Sequence, residues 1–335
     1  MKNWYGFNML WMYTTEGKKD ISPKDIHIEE KELDFICDMG CNFIRLPIDY
    51  RFFIHDFDYG NTNETMLKCL DTCLEKIISR GLHCSLNIHR APGYCINGTE
   101  TEKHILWKDI EAQDEFTRLW TEFAARYANY SENQLSFDLL NEPPNIGQYG
   151  LTREIHKSVM ERVIASIKEV SPHRPIIIDG LGGGNIAMPE LGNAGVIHSV
   201  RGYQPMALTH YQASWCEDTK GLDYPIYPGT NWDEKVWDRD MLLKHYEPWV
   251  KVEKTGVKVH VGECGCYNKV DNQLALKWFK DLFSVYAELD WGFALWNFKG
   301  DFGIVNHNRK NTRWETINGF SVDRDLYELI RANIK

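Results

Sequence analysis

Two glutamates stand out as residues whose surroundings suit catalysis. Glu142 lies between an asparagine and a proline directly after an apolar segment, and Glu263 follows a glycine at the end of another such segment. Two carboxyl groups that flank one pocket can break a glycosidic bond, because one protonates the leaving oxygen while the other attacks or stabilises the anomeric carbon. These roles require one carboxyl group to stay protonated while the other stays ionised.

Polar or aromatic side chains also follow several other apolar segments. A positive charge at Arg45 would keep a neighbouring carboxylate ionised, and the hydroxyl group of Tyr203 could hydrogen-bond to that carboxylate. Asn141 suits a hydrogen bond to a sugar hydroxyl group, and Trp296 offers a flat apolar face for a pyranose ring. Taken singly, each residue also has a structural explanation, such as an ion pair for Arg45 or a core position for His89. Their common place at the ends of apolar segments favours one shared site.

The elements that would position these residues repeat along the chain as short apolar segments and longer amphipathic ones. The apolar segments are continuous rather than alternating, which is typical of parallel strands buried on both faces. Eight strands that alternate with helices predict an α/β fold, a single (β/α)8 barrel with residues 1–335 as one domain. The predicted strands are 5–9, 41–47, 83–88, 135–140, 175–179, 196–203, 257–261 and 291–296, and the predicted helices are 28–39, 64–79, 112–127, 153–170, 240–254, 271–288 and 323–334.

In such a barrel the carboxyl ends of all strands meet at one face, so the residues above are expected to converge there. The segment 212–239 is rich in Trp, Tyr and Pro, and we expect it to form a long loop that either walls one end of a cleft or packs on the barrel. The glycine-rich run 180–185 follows the fifth strand without the Lys-Ser/Thr pair of a phosphate-binding loop, and we interpret it as a tight turn. The aromatic residues expected over the barrel mouth are Trp215, Tyr224, Tyr227, Trp232 and Trp237.

The composition narrows the class of partner. There are 38 Lys and Arg against 48 Asp and Glu, a net charge of −10 that repels phosphates and anionic lipids, so we expect neither nucleic acid nor a membrane as partner. The nine cysteines include no Cys-x-x-Cys pair, and no signal-peptide pattern opens the sequence, which together favour reduced thiols and a cytoplasmic location. A secreted form that has been trimmed stays open, as does the oligomeric state. We expect no metal and no cofactor, and we treat a metalloenzyme and a phosphosugar isomerase or aldolase as the rival barrel enzymes.

Several motifs at the predicted strand ends resemble those of glycoside hydrolase family 5, the cellulase-like retaining hydrolases. The motifs are Asn141-Glu142-Pro143, Gly262-Glu263, Leu295-Trp296-Asn297, Arg45-Leu46-Pro47 and Asn87-Ile88-His89. The resemblance implies a (β/α)8 barrel and retention of anomeric configuration, with Glu142 as acid/base and Glu263 as nucleophile. The supporting residues that it implies around the sugar are Arg45, His89, Asn141, Tyr203 and Trp296.

One position departs from the pattern of that family. Members often carry His-x-Tyr at the end of the sixth strand, whereas this chain has Arg201 two residues before Tyr203. A later histidine, His210, resembles part of a separate Thr-His segment and is a candidate for lining the cleft. A different register would instead make His210 the histidine of the sixth strand.

The same resemblance suggests a substrate class. The segments 89–93 and 297–303 look closer to members that act from chain ends or on short oligosaccharides, so we expect β-linked glucosides or gluco- and manno-oligosaccharides as substrates, as for a β-glucosidase. Lys299 and Asp301 either bind hydroxyl groups of a further sugar or form loop ion pairs. The alternatives are an endo-β-1,4-glucanase or mannanase acting on polymers, and a non-catalytic sugar-binding barrel.

Overall fold

The computed structural model describes residues 2–18 and 20–335, and within them the chain forms a closed barrel of parallel strands. The strands are β1 (Tyr5–Asn8), β2 (Phe43–Asp49), β3 (His83–Arg90), β4 (Leu135–Asp138), β5 (Ile176–Asp179), β6 (Ile197–Gly202), β7 (Thr230–Trp232), β8 (Lys235–Trp237), β9 (Val259–Cys264), β10 (Phe293–Leu295), β11 (Trp314–Ile317) and β12 (Phe320–Asp323). The order around the barrel is β1-β10-β9-β6-β5-β4-β3-β2, while β7–β8 and β11–β12 are separate antiparallel hairpins. The predicted eight-stranded α/β barrel is confirmed.

Helices pack around this barrel where the amphipathic segments predict them. They are α1 (Glu30–Asp38), α2 (Glu64–Ile78), α3 (Ile110–Arg126), α4 (Arg153–Val170), the one-turn segments α5 (Leu181–Gly184) and α6 (Met206–Thr209), α7 (Arg239–His245), α8 (Glu247–Glu253), α9 (Asn272–Leu289) and α10 (Arg324–Asn333). The prediction of one helix over 240–254 is wrong, because α7 and α8 separate at Tyr246. Pro248 in the first turn of α8 has no N–H group to continue the helical hydrogen bonds.

The barrel strands are buried on both faces, which explains their continuous apolar sequences. At the end of the barrel away from the strand carboxyl termini, an aromatic and histidine cluster closes the interior. Trp4 stacks on His83 with ring centroids 4.4 Å apart and on Phe43 at 5.1 Å, and His260 meets the edge of this stack. His260 therefore belongs to the core and lies away from the strand ends that carry the candidate chemistry.

Within the described residues, no helix combines the length and the apolar character needed to cross a bilayer.

The close approach of β1 and β2 gives a stability test. A Cβ atom at Gly6 would lie 1.7 Å from the carbonyl oxygen of Phe43, its partner in β2. We expect Gly6→Ala to lower the free energy of unfolding by about 3 kcal/mol or more, because the two strands must separate. Guanidinium unfolding followed by tryptophan fluorescence measures this loss. In the control, Gly81→Ala, the new Cβ meets no atom within 4 Å and pays only the strain of φ +76°, about 1–2 kcal/mol; equal losses in both variants would contradict the packing argument.

Candidate active site

The backbone of Glu142 is held in an uncommon conformation just after β4. Its φ of 46° lies in the left-handed region, which costs a non-glycine residue roughly 1–3 kcal/mol and recurs at functional sites. Its N–H group donates to Asp179 Oδ2 at 2.9 Å, and its carbonyl oxygen accepts from the Tyr94 hydroxyl group at 2.6 Å. These two contacts offset the strain and fix where the side chain of Glu142 begins.

Glu263 lies inside β9, two residues beyond the predicted strand end at 261, and a bulge aims its side chain. Val200 pairs with Val261 but Arg201 pairs with Glu263, so Gly262 is an extra residue in β9 relative to β6. An extra residue reverses the alternation of side chains that follows it. The bulge thereby directs the carboxyl group of Glu263 to the side of the barrel mouth where Arg45 and Tyr203 lie.

Both carboxylate oxygens of Glu263 accept hydrogen bonds. Arg45 Nη1 lies 2.5 Å from Oε1, and the Tyr203 hydroxyl group donates to Oε2 at 2.8 Å. A charge-assisted contact and a second donor together hold the carboxylate in one orientation. The sequence-based pairing of Arg45 and Tyr203 with this carboxylate agrees with these contacts.

Arg45 connects the barrel interior to this carboxylate. Its Nε donates to Asp138 Oδ2 at 2.7 Å, and its Nη2 donates to Asn141 Oδ1 at 3.0 Å. Asn8 accepts from Nη1 at 3.0 Å and also donates to the backbone of β9 and β10. Every edge of this buried guanidinium therefore has a partner, as a charge away from water requires.

Arg201 forms a second buried guanidinium beside the first. Its Nε donates to Glu142 Oε1 at 2.8 Å, and its Nη2 donates to Asn141 Oδ1 at 2.9 Å and lies 3.4 Å from Glu263 Oε1. Asp179 accepts from both terminal nitrogens. Asn141 is thus fixed by two arginines through one oxygen, leaving its amide nitrogen 3.5 Å from His89 Nε2.

The electrostatics of this cluster separate the two glutamates. Burial, followed by the charge of Glu263, raises the pKa of Glu142 to about 7 against the lowering effect of Arg201. Burial alone would raise the pKa of Asp179, but the charges of Arg201 and Arg45 lower it. A Glu142 whose raised pKa keeps its proton, beside a Glu263 that accepts two hydrogen bonds, is the arrangement that a general acid and a nucleophile require.

Aromatic rings form one wall next to these carboxyl groups. The His89 ring stacks on Trp296 with centroids 5.4 Å apart, and Tyr13 contacts both rings edge-on, at 4.6 and 5.2 Å. Burial and the nearby arginines lower the pKa of His89, so its ring is neutral. Sequence reasoning missed Tyr13, which lies in the irregular segment after β1. The sequence offered one hint, because no candidate residue had been assigned to the end of the first predicted strand although all strand ends meet at the same face.

His210 lines the cleft but does not belong to β6. The strand ends at Gly202, and His210 follows α6, with its ring 5.0 Å from that of Tyr203 and its Nδ1 3.0 Å from Thr209 Oγ1. The register that would make His210 the histidine of the sixth strand is therefore wrong. The place in that strand is filled by Arg201.

Lys299 and Asp301 lie in different pockets of the structure. Lys299 Nζ lies 3.2 Å from Glu29 and 3.6 Å from Glu32, in a small pocket of about 340 Å³ beside the cleft, so the loop ion pair describes it. Asp301 lines the cleft itself and accepts a hydrogen bond from Asn268 at 2.9 Å. Only Asp301 of this pair faces the space around the glutamates.

The glutamates face a cleft of about 860 Å³, near the upper end of the roughly 300–1,000 Å³ of small-molecule sites. Of the five aromatic residues expected over the mouth, only Trp215, half exposed, lines this cleft. Trp237, the last residue of β8, is buried and donates to the carbonyl oxygen of Trp232 in β7. Tyr227 donates to Asp281 on α9 at 3.0 Å. The long loop therefore mostly packs on the barrel, the second of its two expected roles.

No three His, Cys, Asp or Glu side chains among residues 2–18 and 20–335 are arranged to hold a metal ion. Cys264 and Cys266 flank Gly265 directly after Glu263, but burial raises the pKa of each thiol. Both cysteines pack beneath the site as small apolar residues, as their neighbours in sequence suggest.

Comparisons with known proteins agree with this geometry. The family model described as Cellulase (glycosyl hydrolase family 5) matches residues 3–301. Endoglucanase C of Acetivibrio thermocellus is 30% identical over 322 residues, 88% of this chain and 91% of that protein, and Cellodextrinase A of Ruminococcus flavefaciens is 27% identical over 273 residues, 79% and 76%. A crystal structure of a glycoside hydrolase superposes with a TM-score of 0.96 at 51% identity, covering 99% of this chain and 100% of that one.

The raised pKa of Glu142 predicts how cleavage of an aryl β-glycoside depends on pH. The proton is held below about pH 7 and lost above it, so kcat/KM should fall with a midpoint near pH 7 as the general acid ionises. Initial rates from pH 4 to 9, at constant ionic strength, measure this limb. A kcat/KM that keeps rising to pH 9 would contradict the assignment of Glu142 as the acid.

Proposed function

This chain belongs to glycosyl hydrolase family 5, a family of retaining glycoside hydrolases, and from that premise we propose that it is an endo-acting β-1,4-glucanase. The observation that carries the proposal is the cleft of about 860 Å³ around the glutamate pair, in which Arg201 binds Glu142 while Arg45 and Tyr203 hold Glu263. The finer assignments of residue roles and substrate rest on this geometry and on the relatives described above.

In the first step, protonated Glu142 gives its proton to the glycosidic oxygen while a carboxylate oxygen of Glu263 attacks the anomeric carbon. The bond to the leaving sugar breaks and a glycosyl ester forms on Glu263. In the second step Glu142, now ionised, takes a proton from water, and the water oxygen replaces Glu263 at the anomeric carbon. Both steps invert that centre, so the product keeps the β configuration.

Two observations support internal cleavage of a chain. The cleft has room for more than one sugar ring, with Trp215 and Asp301 lining it beyond the catalytic pair. The loop 212–239, which was the reason to expect a wall at one end, contributes only the segment around Trp215 to the cleft. The name of the relative Endoglucanase C agrees with this proposal.

Hydrolysis of short soluble oligosaccharides is the second candidate function, as the sequence motifs suggest. The name of the relative Cellodextrinase A favours it. Both candidates share the same glutamates and differ only in where along the chain the bond is cut.

We expect Glu142→Ala and Glu263→Ala each to lose about 100-fold or more of kcat/KM on 4-nitrophenyl β-cellobioside. Azide then distinguishes the two roles, because it enters the sugar from a different face in each variant. It takes the place of the Glu263 carboxylate in one and of the attacking water in the other. Glu263→Ala should yield an α-glycosyl azide, and Glu142→Ala, through its glycosyl ester, a β-glycosyl azide, both identified by NMR. Glu111→Gln, an exposed glutamate on α3, is the matched control and should retain full activity. Activity retained in both alanine variants would refute the assignment.

The position of cleavage is tested on polymer and oligomer. An endo-acting enzyme should lower the viscosity of carboxymethyl cellulose well before reducing ends accumulate, and should cut reducing-end-labelled cellohexaose at internal bonds. Glu142→Gln serves as the inactive control. Release of only glucose or cellobiose from one end, with viscosity unchanged, would replace the proposal by the short-oligosaccharide function.

A further inference from the structure

Arg201 is the side chain that touches both candidate catalytic carboxyl groups. It lies in β6, is fully buried, and reaches Glu142 at 2.8 Å through Nε and Glu263 at 3.4 Å through Nη2. Arg45, the second arginine beside the glutamates, donates to Glu263 and Asp138, because it approaches from β2. Glu142 therefore depends on Arg201 for its side-chain hydrogen bond.

Asp179 holds Arg201 in place from the far side. It accepts from both terminal nitrogens of the guanidinium, and its Oδ2 also accepts the backbone N–H of Glu142 at 2.9 Å. Ser199 Oγ adds a contact to Nη1 at 3.0 Å. Arg201 therefore binds the side chain of Glu142, and Asp179 binds its backbone N–H group.

The glycine-rich run after β5 is built around this pair. A Cβ atom at Gly184, whose φ is +77°, would lie 2.4 Å from Arg201 Cγ, so glycine makes the space that the arginine fills. The N–H groups of Gly182 and Gly183 donate to the carbonyl oxygens of Pro144 and Pro143, at 3.1 and 3.0 Å, immediately after Glu142. The run is the tight turn expected from sequence, but it also positions the glutamate loop.

We propose that Arg201 is a positioning residue that aligns Glu142 with the glycosidic oxygen and drives its change from acid to base between the two steps. The inference rests on the proposed roles of Glu142 and Glu263. Before the first step, burial and the negative charge of Glu263 keep the proton on Glu142. Once Glu263 is an ester that charge is gone while Arg201 remains, so Glu142 is left ionised and ready to take a proton from water.

The groups that face Glu142 from neighbouring elements set the direction of the pH effect. Among residues 2–18 and 20–335, Arg201 donates directly to the side chain of Glu142 and lowers its pKa, whereas the other groups that face it are acidic or neutral. They are Asp179 on β5, Glu263 on β9, Tyr203 after β6, Tyr94 after β3 and Tyr13 after β1. Loss of the arginine charge therefore favours the protonated form of Glu142 and moves the basic limb of the pH profile upward.

The test compares Arg201→Gln with wild type on two aryl β-cellobiosides. A phenyl leaving group needs a proton, whereas 2,4-dinitrophenolate departs without one. We expect kcat/KM to fall about 30-fold or more for the phenyl substrate and less than about 3-fold for the dinitrophenyl substrate. The basic limb on the phenyl substrate should move up by about one pH unit.

Three further variants make the result specific. Arg201→Lys keeps the charge without the planar fork, so the limb should stay near its wild-type position while the leaving-group difference persists. Gly184→Ala displaces the arginine without changing any charge and should reproduce part of the loss if Arg201→Gln does not fold. Arg174→Gln removes a buried arginine that donates to backbone carbonyl groups and lies over the Phe137 ring, and it should change neither the limb nor the leaving-group ratio.

Equal losses on both substrates with an unmoved basic limb would overturn the inference about Arg201. That outcome leaves the proposed function intact, because azide products from the Glu142 and Glu263 variants are measured independently. Loss of the azide pattern, with the Arg201 results as expected, would instead count against the roles given to the two glutamates.

Discussion

The burial of charge at the barrel mouth is the constraint on which the rest of the site depends. Two guanidinium groups, Arg45 and Arg201, lie among four carboxyl groups away from water, and each must find partners or destabilise the fold by several kcal/mol. The barrel meets this need with residues from β1, β2, β4, β5, β6 and β9, so no single strand holds the site. The four carboxyl groups outnumber the two arginines, and burial raises the pKa of both Glu142 and Asp138 to about 7. Of these two, Glu142 lines the cleft, where the proposed chemistry uses its proton.

Much of this site can be predicted from the sequence, because the ends of the barrel strands are marked by a change from apolar to charged residues. An apolar segment that stops at a charged residue marked Arg45, Glu142 and Glu263, and a parallel barrel brings such ends together whatever their distance along the chain. The roles of Asp138 and Asp179 were not readable in the same way. Each is a single carboxylate at a strand end, and only the three-dimensional neighbourhood shows that it binds an arginine from another strand.

Other features depend on geometry that sequence patterns do not carry. The bulge at Gly262 reverses the direction of the Glu263 side chain. From sequence alone, a single glycine in a strand can indicate either a bulge or a close backbone contact. Similarly, the aromatic residues of loop 212–239 look alike in sequence, yet Trp215 faces the cleft while Trp237 and Tyr227 are buried on the outside of the barrel. Solvent exposure of a loop residue is decided by its tertiary contacts, so counting aromatic residues overstates the sugar-binding surface.

The pairing of Arg201 with Asp179 also restricts how such a site can change over evolutionary time. A lineage that replaces Arg201 by a neutral residue leaves Asp179 as a buried, uncompensated anion, and one that replaces Asp179 first leaves a buried cation without its main partner. Either single exchange passes through a destabilised intermediate. Residues 179 and 201 are therefore expected to covary as a pair, independently of the two glutamates that they serve, while the φ of +77° keeps glycine at 184.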